Sequence, residues 1–344
     1  MTDLNNLDEI KKLDPKNVYG STEMLSQQCE QVWDDVKKLN LPKLDPKNII
    51  ICGMGGSSYG GHVLKSLFAD TLKAPLSVVN DYHLPAFADS STLVFLTSYS
   101  GTTEETLSCS REAIGKNCAI AGLTSGGDLG EFLRNGNYPN YTFQSKFNPS
   151  GQPRLGTGYI VFGTLAVFNE MGLIKLEEAD VLEAINLLKN SAESVKNEAK
   201  KLAPLLQNKI PLLVAGEFLE GNAHIARNQL NETAKSFSEF AVLPELNHHL
   251  MEGLKYPTKD ITALFLNSSL YSDKIRRRVE LTKDVIQKNG LNVLEYNAKG
   301  NSKIAQVLNV LSFGGFLSLF LSLLYEEDPS LIPWVDYFKE QLKK

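Results

Sequence analysis

Residues 48–61 read NIIICGMGGSSYGG, and this stretch sets the fold class. Asn48-Ile49-Ile50-Ile51-Cys52 is a continuous apolar run, the pattern of a strand covered on both faces. It runs into the glycine-rich turn Gly53-Met54-Gly55-Gly56-Ser57-Ser58, and a helical segment follows to about Phe68. Working outward, Pro75 to Asn80 predicts a second strand, Leu93 to Thr97 a third and Cys118 to Leu123 a fourth, with a helix over Glu104–Ile114. Strands alternating with helices predict an α/β fold, a parallel sheet with helices on both faces. The pattern recurs downstream. Ile210–Ala215 predicts a strand followed by a helix through Lys235. Ile261–Leu266 predicts a strand, Asp273–Lys288 a charged helix and Leu291–Tyr296 another strand. Long helical patterns over Gly158–Met171 and Glu177–Leu202 separate the two halves. The expected organisation is a helical segment at 1–45, a first domain at 46–160, a helical connection at 161–204 and a second domain at 205–344.

Composition narrows the function. With 35 Lys and Arg against 40 Asp and Glu, the net charge is −5, and the one basic run is Lys274-Ile275-Arg276-Arg277-Arg278. Nucleic acid is a poor partner for such a chain. The four cysteines (Cys29, Cys52, Cys109, Cys118) form no Cys-x-x-Cys pair and predict no disulfide framework. The polar, acidic start predicts no signal peptide. The apolar run Ile304–Tyr325 contains Gln306, Asn309, three serines and two glycines, so it predicts a buried core helix rather than a membrane span. A cytoplasmic protein is expected.

Chemistry concentrates in two strand-to-helix turns. One is Gly53–Ser58; the other is Ser98-Tyr99-Ser100-Gly101-Thr102-Thr103, followed by Glu104-Glu105-Thr106-Leu107. In an open parallel sheet, ligands bind beyond the carboxyl ends of the strands. Free N–H groups at helix starts attract anions, and Ser and Thr hydroxyls donate to phosphate oxygens. No Walker lysine follows, and the first turn lacks the Gly-x-Gly-x-x-Gly spacing. Hydroxyls without that lysine suit a sugar monophosphate. The plainer alternative is a pair of well-capped helix starts.

A second constellation is Arg227-Asn228-Gln229-Leu230-Asn231-Glu232, then Leu243-Pro244-Glu245-Leu246-Asn247-His248-His249. A carboxylate and an imidazole brought together suit proton transfer near neutral pH. The adjacent histidines point apart on an extended chain, which disfavours a shared metal. A lone glutamate on a helix is usually a solvated face, so pattern alone favours that reading of Glu232.

These motifs, in this order, together with Asp328-Pro329, resemble the sugar isomerase (SIS) family. More narrowly, they are similar to its bifunctional phosphoglucose/phosphomannose isomerases, over nearly the whole chain. The resemblance implies two SIS domains of flavodoxin-like three-layer form, a homodimer, and a site between domains near the subunit interface. It needs no metal or redox cofactor and no membrane. The substrate implied is a hexose 6-phosphate, its phosphate held by Gly56, Ser57, Ser98, Ser100 and Thr103. Glu232 is implied as the base that carries a proton between C2 and C1 through a cis-enediolate, and Arg154, after Pro153, as the stabiliser of that charge. Ring opening falls to Lys339, near the C-terminus, and to His248 of the neighbouring subunit, with His249 as the alternative choice. His249-Leu250 replaces the family's common Asn-Glu, and Asp328-Pro329-Ser330-Leu331 matches its Asp-Pro-Thr-Pro in part, which leaves mannose activity less secure than glucose activity. Two other readings stay open: an SIS isomerase acting on an amino sugar phosphate, and a sugar-phosphate sensor without catalysis. An amidotransferase would need a glutaminase domain, for which residues 1–45 are too short.

Overall fold

The computed structural model describes residues 2–256 and 260–342. Among these residues, nine strands form two separate, wholly parallel sheets. The first contains β1 (Asn48–Cys52), β2 (Leu76–Val79), β3 (Thr92–Ser98), β4 (Ala119–Thr124) and β5 (Asn140–Thr142), in the order β2-β1-β3-β4-β5. The second contains β6 (Ile210–Gly216), β7 (Glu239–Leu243), β8 (Ile261–Asn267) and β9 (Asn292–Asn297), in the order β7-β6-β8-β9. Both orders begin with the second strand beside the first and then step outward the other way, the flavodoxin-like arrangement. The central strands β1 and β3 are buried along nearly their whole length, as their unbroken apolar runs require.

The α-helices of the described residues are α1 (Leu7–Leu13), α2 (Val18–Glu23), α3 (Leu25–Val36), α4 (Tyr59–Leu67), α5 (Glu104–Gly115), α6 (Gly127–Asn135), α7 (Gly163–Glu170), α8 (Glu178–Leu206), α9 (Glu220–Glu232), α10 (Leu250–Gly253), α11 (Asp273–Lys288), α12 (Lys303–Leu324) and α13 (Pro333–Leu342), the last without a buried residue. The apolar run near residue 304 is α12. It meets a membrane span's requirements of length and hydropathy, yet it is wholly enclosed, packed on α8 and α9. Gly314 lets it press on α9, because a Cβ there would lie 2.5 Å from the Gln229 side-chain oxygen.

The sheets meet through α4 and α9. The crossing is close because Gly221 has no side chain: a Cβ would stand 2.7 Å from the Val63 Cα and 2.8 Å from the His62 carbonyl carbon. His62 and His224 stack across the contact, ring centroids 4.0 Å apart. Burial pushes both imidazoles down, to about 4 and about 3 respectively, so they stack as neutral rings. The two helices run antiparallel, with Tyr59 near Glu232 at one end of the contact and His62 against Gly221 at the other. The carboxyl edge of the first sheet therefore lies beside the amino edge of the second.

Candidate active site

The two turns sit side by side, because β1 and β3 are hydrogen-bonded neighbours. Thr97, at the end of β3, stitches them together: its hydroxyl points at the carbonyls of Cys52 (3.0 Å) and Ser57 (2.7 Å). Ser57 is buried, and its Oγ accepts from the Tyr99 N–H at 3.0 Å. Ser98 is buried too. Its Oγ accepts from the Gly101 N–H (3.0 Å) and shares a proton with the Thr103 hydroxyl at 2.8 Å. Ser100 and Thr102 form an outer, exposed hydroxyl pair 3.0 Å apart. The five predicted phosphate ligands thus divide. Ser57, Ser98 and the Thr103 hydroxyl bonded to Ser98 shape the turns from inside, while Ser100 is exposed and Gly56 offers backbone. Thr102, which no phosphate assignment included, stands with Ser100. Gly101 permits the second turn: φ is +75°, and a Cβ would meet the Gly126 carbonyl oxygen at 1.8 Å.

Arg154 joins this edge to the second sheet. It lies in a short helical turn, Pro153–Leu155, directly over the first glycine-rich turn. A Cβ on Gly56 would stand 3.4 Å from the Arg154 Cα. The guanidinium is almost wholly buried. It donates to Gln152 Oε1 (3.1 Å), Thr233 Oγ1 (3.4 Å) and the carbonyls of Pro329 (2.8 Å) and Ser330 (2.9 Å). Its Nε lies 3.9 Å from Glu232 Oε2.

Glu232 is the last residue of α9, which delivers it to the first sheet's carboxyl edge. The preceding Asn231 turns inward and pins the α9–β7 connection, donating to the carbonyls of Arg227 (3.0 Å) and Ser238 (3.1 Å). Glu232 itself keeps 32 % of its side chain accessible. Burial pushes its carboxyl above the ordinary glutamate range, opposed by the positive charges of Arg154 and Lys339. That opposition also places Lys339, on α13, within electrostatic reach. A half-buried carboxylate with a raised pKa, facing an arginine beside a glycine-rich turn, has the character of a group that could take a proton from a carbon next to a carbonyl.

His248 stands elsewhere. Glu232 lies where α9 hands over to β7 at the amino edge of the second sheet, and β7 must cross that sheet before the chain reaches His248. His248 is exposed there and lines a concavity of about 820 Å³ with Met251, Arg277 and Arg278. His249, also exposed, lies 3.9 Å from Glu245. One chain therefore brings Gly56, Arg154, Glu232 and Lys339 together and leaves both histidines at the far edge. A larger cleft, about 1000 Å³, opens at the opposite end of the first sheet beside Lys47 and Phe68 and contains none of these residues.

Comparison with known proteins agrees with this architecture. Residues 195–342 match the family described as "Bacterial phospho-glucose isomerase C-terminal SIS domain". The bifunctional phosphoglucose/phosphomannose isomerase of Caldicellulosiruptor bescii is 33 % identical over 343 residues, covering 94 % of this chain and 98 % of that one. The protein of the same name from Aquifex aeolicus is 34 % identical over 337 residues, covering 96 % and 99 %. The crystal structure of a hypothetical protein from Thermus thermophilus superposes with a TM-score of 0.73 at 14 % identity, over 98 % of this chain and 93 % of that one, a likeness of fold. Similarity above 30 % over nearly the whole of both chains settles the family: the chain belongs to the bifunctional phosphoglucose/phosphomannose isomerases.

Proposed function

We propose that the chain interconverts glucose 6-phosphate, and mannose 6-phosphate, with fructose 6-phosphate. The observation that carries this reading is the Glu232–Arg154 pair, 3.9 Å apart and seated against the Gly56 turn. Phosphate binds at the two turns through their N–H groups and the hydroxyls of Ser100 and Thr103, and this distant binding holds the sugar in place. Glu232 removes the proton from C2 or C1 of the open-chain sugar, exchanges it in part with solvent, and delivers a proton to the other carbon. Arg154 stabilises the negative charge that develops on the enediolate oxygens. Lys339 moves a proton at the ring or carbonyl oxygen during opening, together with a His248 supplied by a second copy of the chain. Protonation from the opposite face of C2 gives the mannose epimer.

A cytoplasmic homodimer is part of the same proposal. Trp334, Tyr337, Phe338 and Leu342 on α13 are all more than half exposed in the single chain, an apolar face suited to burial against a partner. A coupled assay starting from fructose 6-phosphate tests the activity. Formation of glucose 6-phosphate is expected, with mannose 6-phosphate as a second product. Binding of fructose 6-phosphate without either product would leave a sensor in place of an enzyme.

A further inference from the structure

Lys235 lies three residues beyond Glu232, where the chain turns sharply out of α9. Its φ is +52°, a left-handed conformation uncommon for a side chain of this size. This backbone sends the amine back across the helix end. Its Nζ donates to the Thr233 carbonyl at 3.1 Å and to the carbonyl of Asp328. Arg154 donates to the next two carbonyls, those of Pro329 and Ser330. Two cations, one from each half of the molecule, therefore hold three consecutive carbonyls. That turn leads directly into α13, which carries Lys339. The proposed proton transfers make no use of Lys235.

We infer that Lys235 is a positioning residue, tying the end of α9 that bears Glu232 to the 328–330 turn and so setting Lys339 against the base. The inference rests on the isomerase reading for its kinetic consequences. The groups facing the amine are Arg154 from the first half and Glu327 and Asp328 from the segment after α12. Lys235 as a whole is exposed, but partial desolvation of its amine between the end of α9 and the 328–330 turn, reinforced by Arg154 and opposed by the two carboxylates, brings it down to about 8. The staple is therefore charged at neutral pH and weakens as pH rises through that value. A charge-assisted hydrogen bond to a carbonyl is stronger than its neutral counterpart, so deprotonation loosens the turn.

Two variants test this. Lys235→Met removes the ammonium and keeps the length of the stem; Lys235→Arg keeps a charge that does not titrate below about pH 12. The Met variant is expected to lose roughly 10- to 100-fold in kcat, the scale on which a misplaced catalytic group acts, with KM for fructose 6-phosphate little changed. The wild-type rate should fall as pH rises through about 8. The Arg variant should recover most of the activity and lose that alkaline limb. Amide hydrogen exchange over residues 326–342, measured at neutral pH without substrate, should speed up in the Met variant and stay near wild type in the Arg variant. Wild-type kcat and unchanged exchange in the Met variant would overturn the inference, as would an unmoved alkaline limb in the Arg variant. The exchange experiment uses no turnover, so a chain inactive on sugar phosphates would defeat the isomerase reading and still leave the staple testable.

Discussion

At the scale of single residues, the account turns on Glu232 and its electrostatic surroundings. Glu232→Gln keeps the shape and some hydrogen bonding but cannot accept a proton from carbon. Its kcat should fall by about 10³-fold or more, within the range for a general base, with KM nearly unchanged. The sign of the pH dependence follows from the direction of its pKa. Burial raises the carboxyl, so activity should be lost on acidification at a pH above that of an exposed glutamate, about 4.3. Arg154 opposes that rise. In Arg154→Met, the acid limb of the residual activity should therefore move to still higher pH, together with a loss of kcat. An acid limb that stays in place would show that the guanidinium does not act on the base. Much of this neighbourhood was legible in sequence: the Asn231-Glu232 pair, Pro153-Arg154 and the two hydroxyl-rich turns stand out by composition and resemblance. The roles within it were less so. Asn231 proves to be a brace for the α9–β7 connection, Ser98 a brace within its turn, and Lys235 a staple. A lysine near a helix end reads in sequence as plain surface, because only long-range packing brings the Asp328 carbonyl to Lys235.

At the scale of elements, the strongly apolar strands are where the sequence predicts them, within a residue or two. The edge strands β5 and β7 escape that reading. β5 has only three residues, and the apolar run of β7, Phe240-Ala241-Val242-Leu243, is short, half-buried and closed at once by Pro244. The helical pattern read through Lys235 ends three residues earlier in the structure, at Glu232, since the left-handed turn occurs without the glycine that usually announces it. The contact of α4 with α9 is equally silent in sequence, yet it aims Glu232 at the first sheet. Gly221→Val should push the helices apart, because the obstacle is backbone, which cannot rotate away. A loss of about 1–3 kcal/mol in unfolding free energy is expected from such overpacking, accompanied by a fall in kcat. Denaturant unfolding and kinetics of the same preparation would check both. Ser100→Ala should act differently, raising KM with stability retained, since Ser100 is exposed and its hydroxyl partner is the neighbouring Thr102.

At the scale of the whole molecule, a single chain separates Glu232 from His248 by the width of the second sheet, and a shared active site would reunite them. Mixing inactive Glu232→Gln subunits with inactive His248→Ala subunits, after dissociation and reassociation, should then restore about a quarter of wild-type activity. Half the dimers would be mixed, each with one intact site. No recovery, with dimers shown to exchange, would place the whole site within one chain or remove His248 from it. The central claim is proton transfer between C1 and C2 by Glu232, and isotope exchange reads it most directly. Fructose 6-phosphate incubated in D₂O with the wild-type protein should yield glucose 6-phosphate carrying deuterium at C2. The Glu232→Gln protein, still binding the sugar phosphate, should incorporate none at C1 or C2 on the same timescale. Deuterium incorporation by Glu232→Gln at the wild-type rate, or product formed by the wild type with no solvent deuterium at all, would contradict the account.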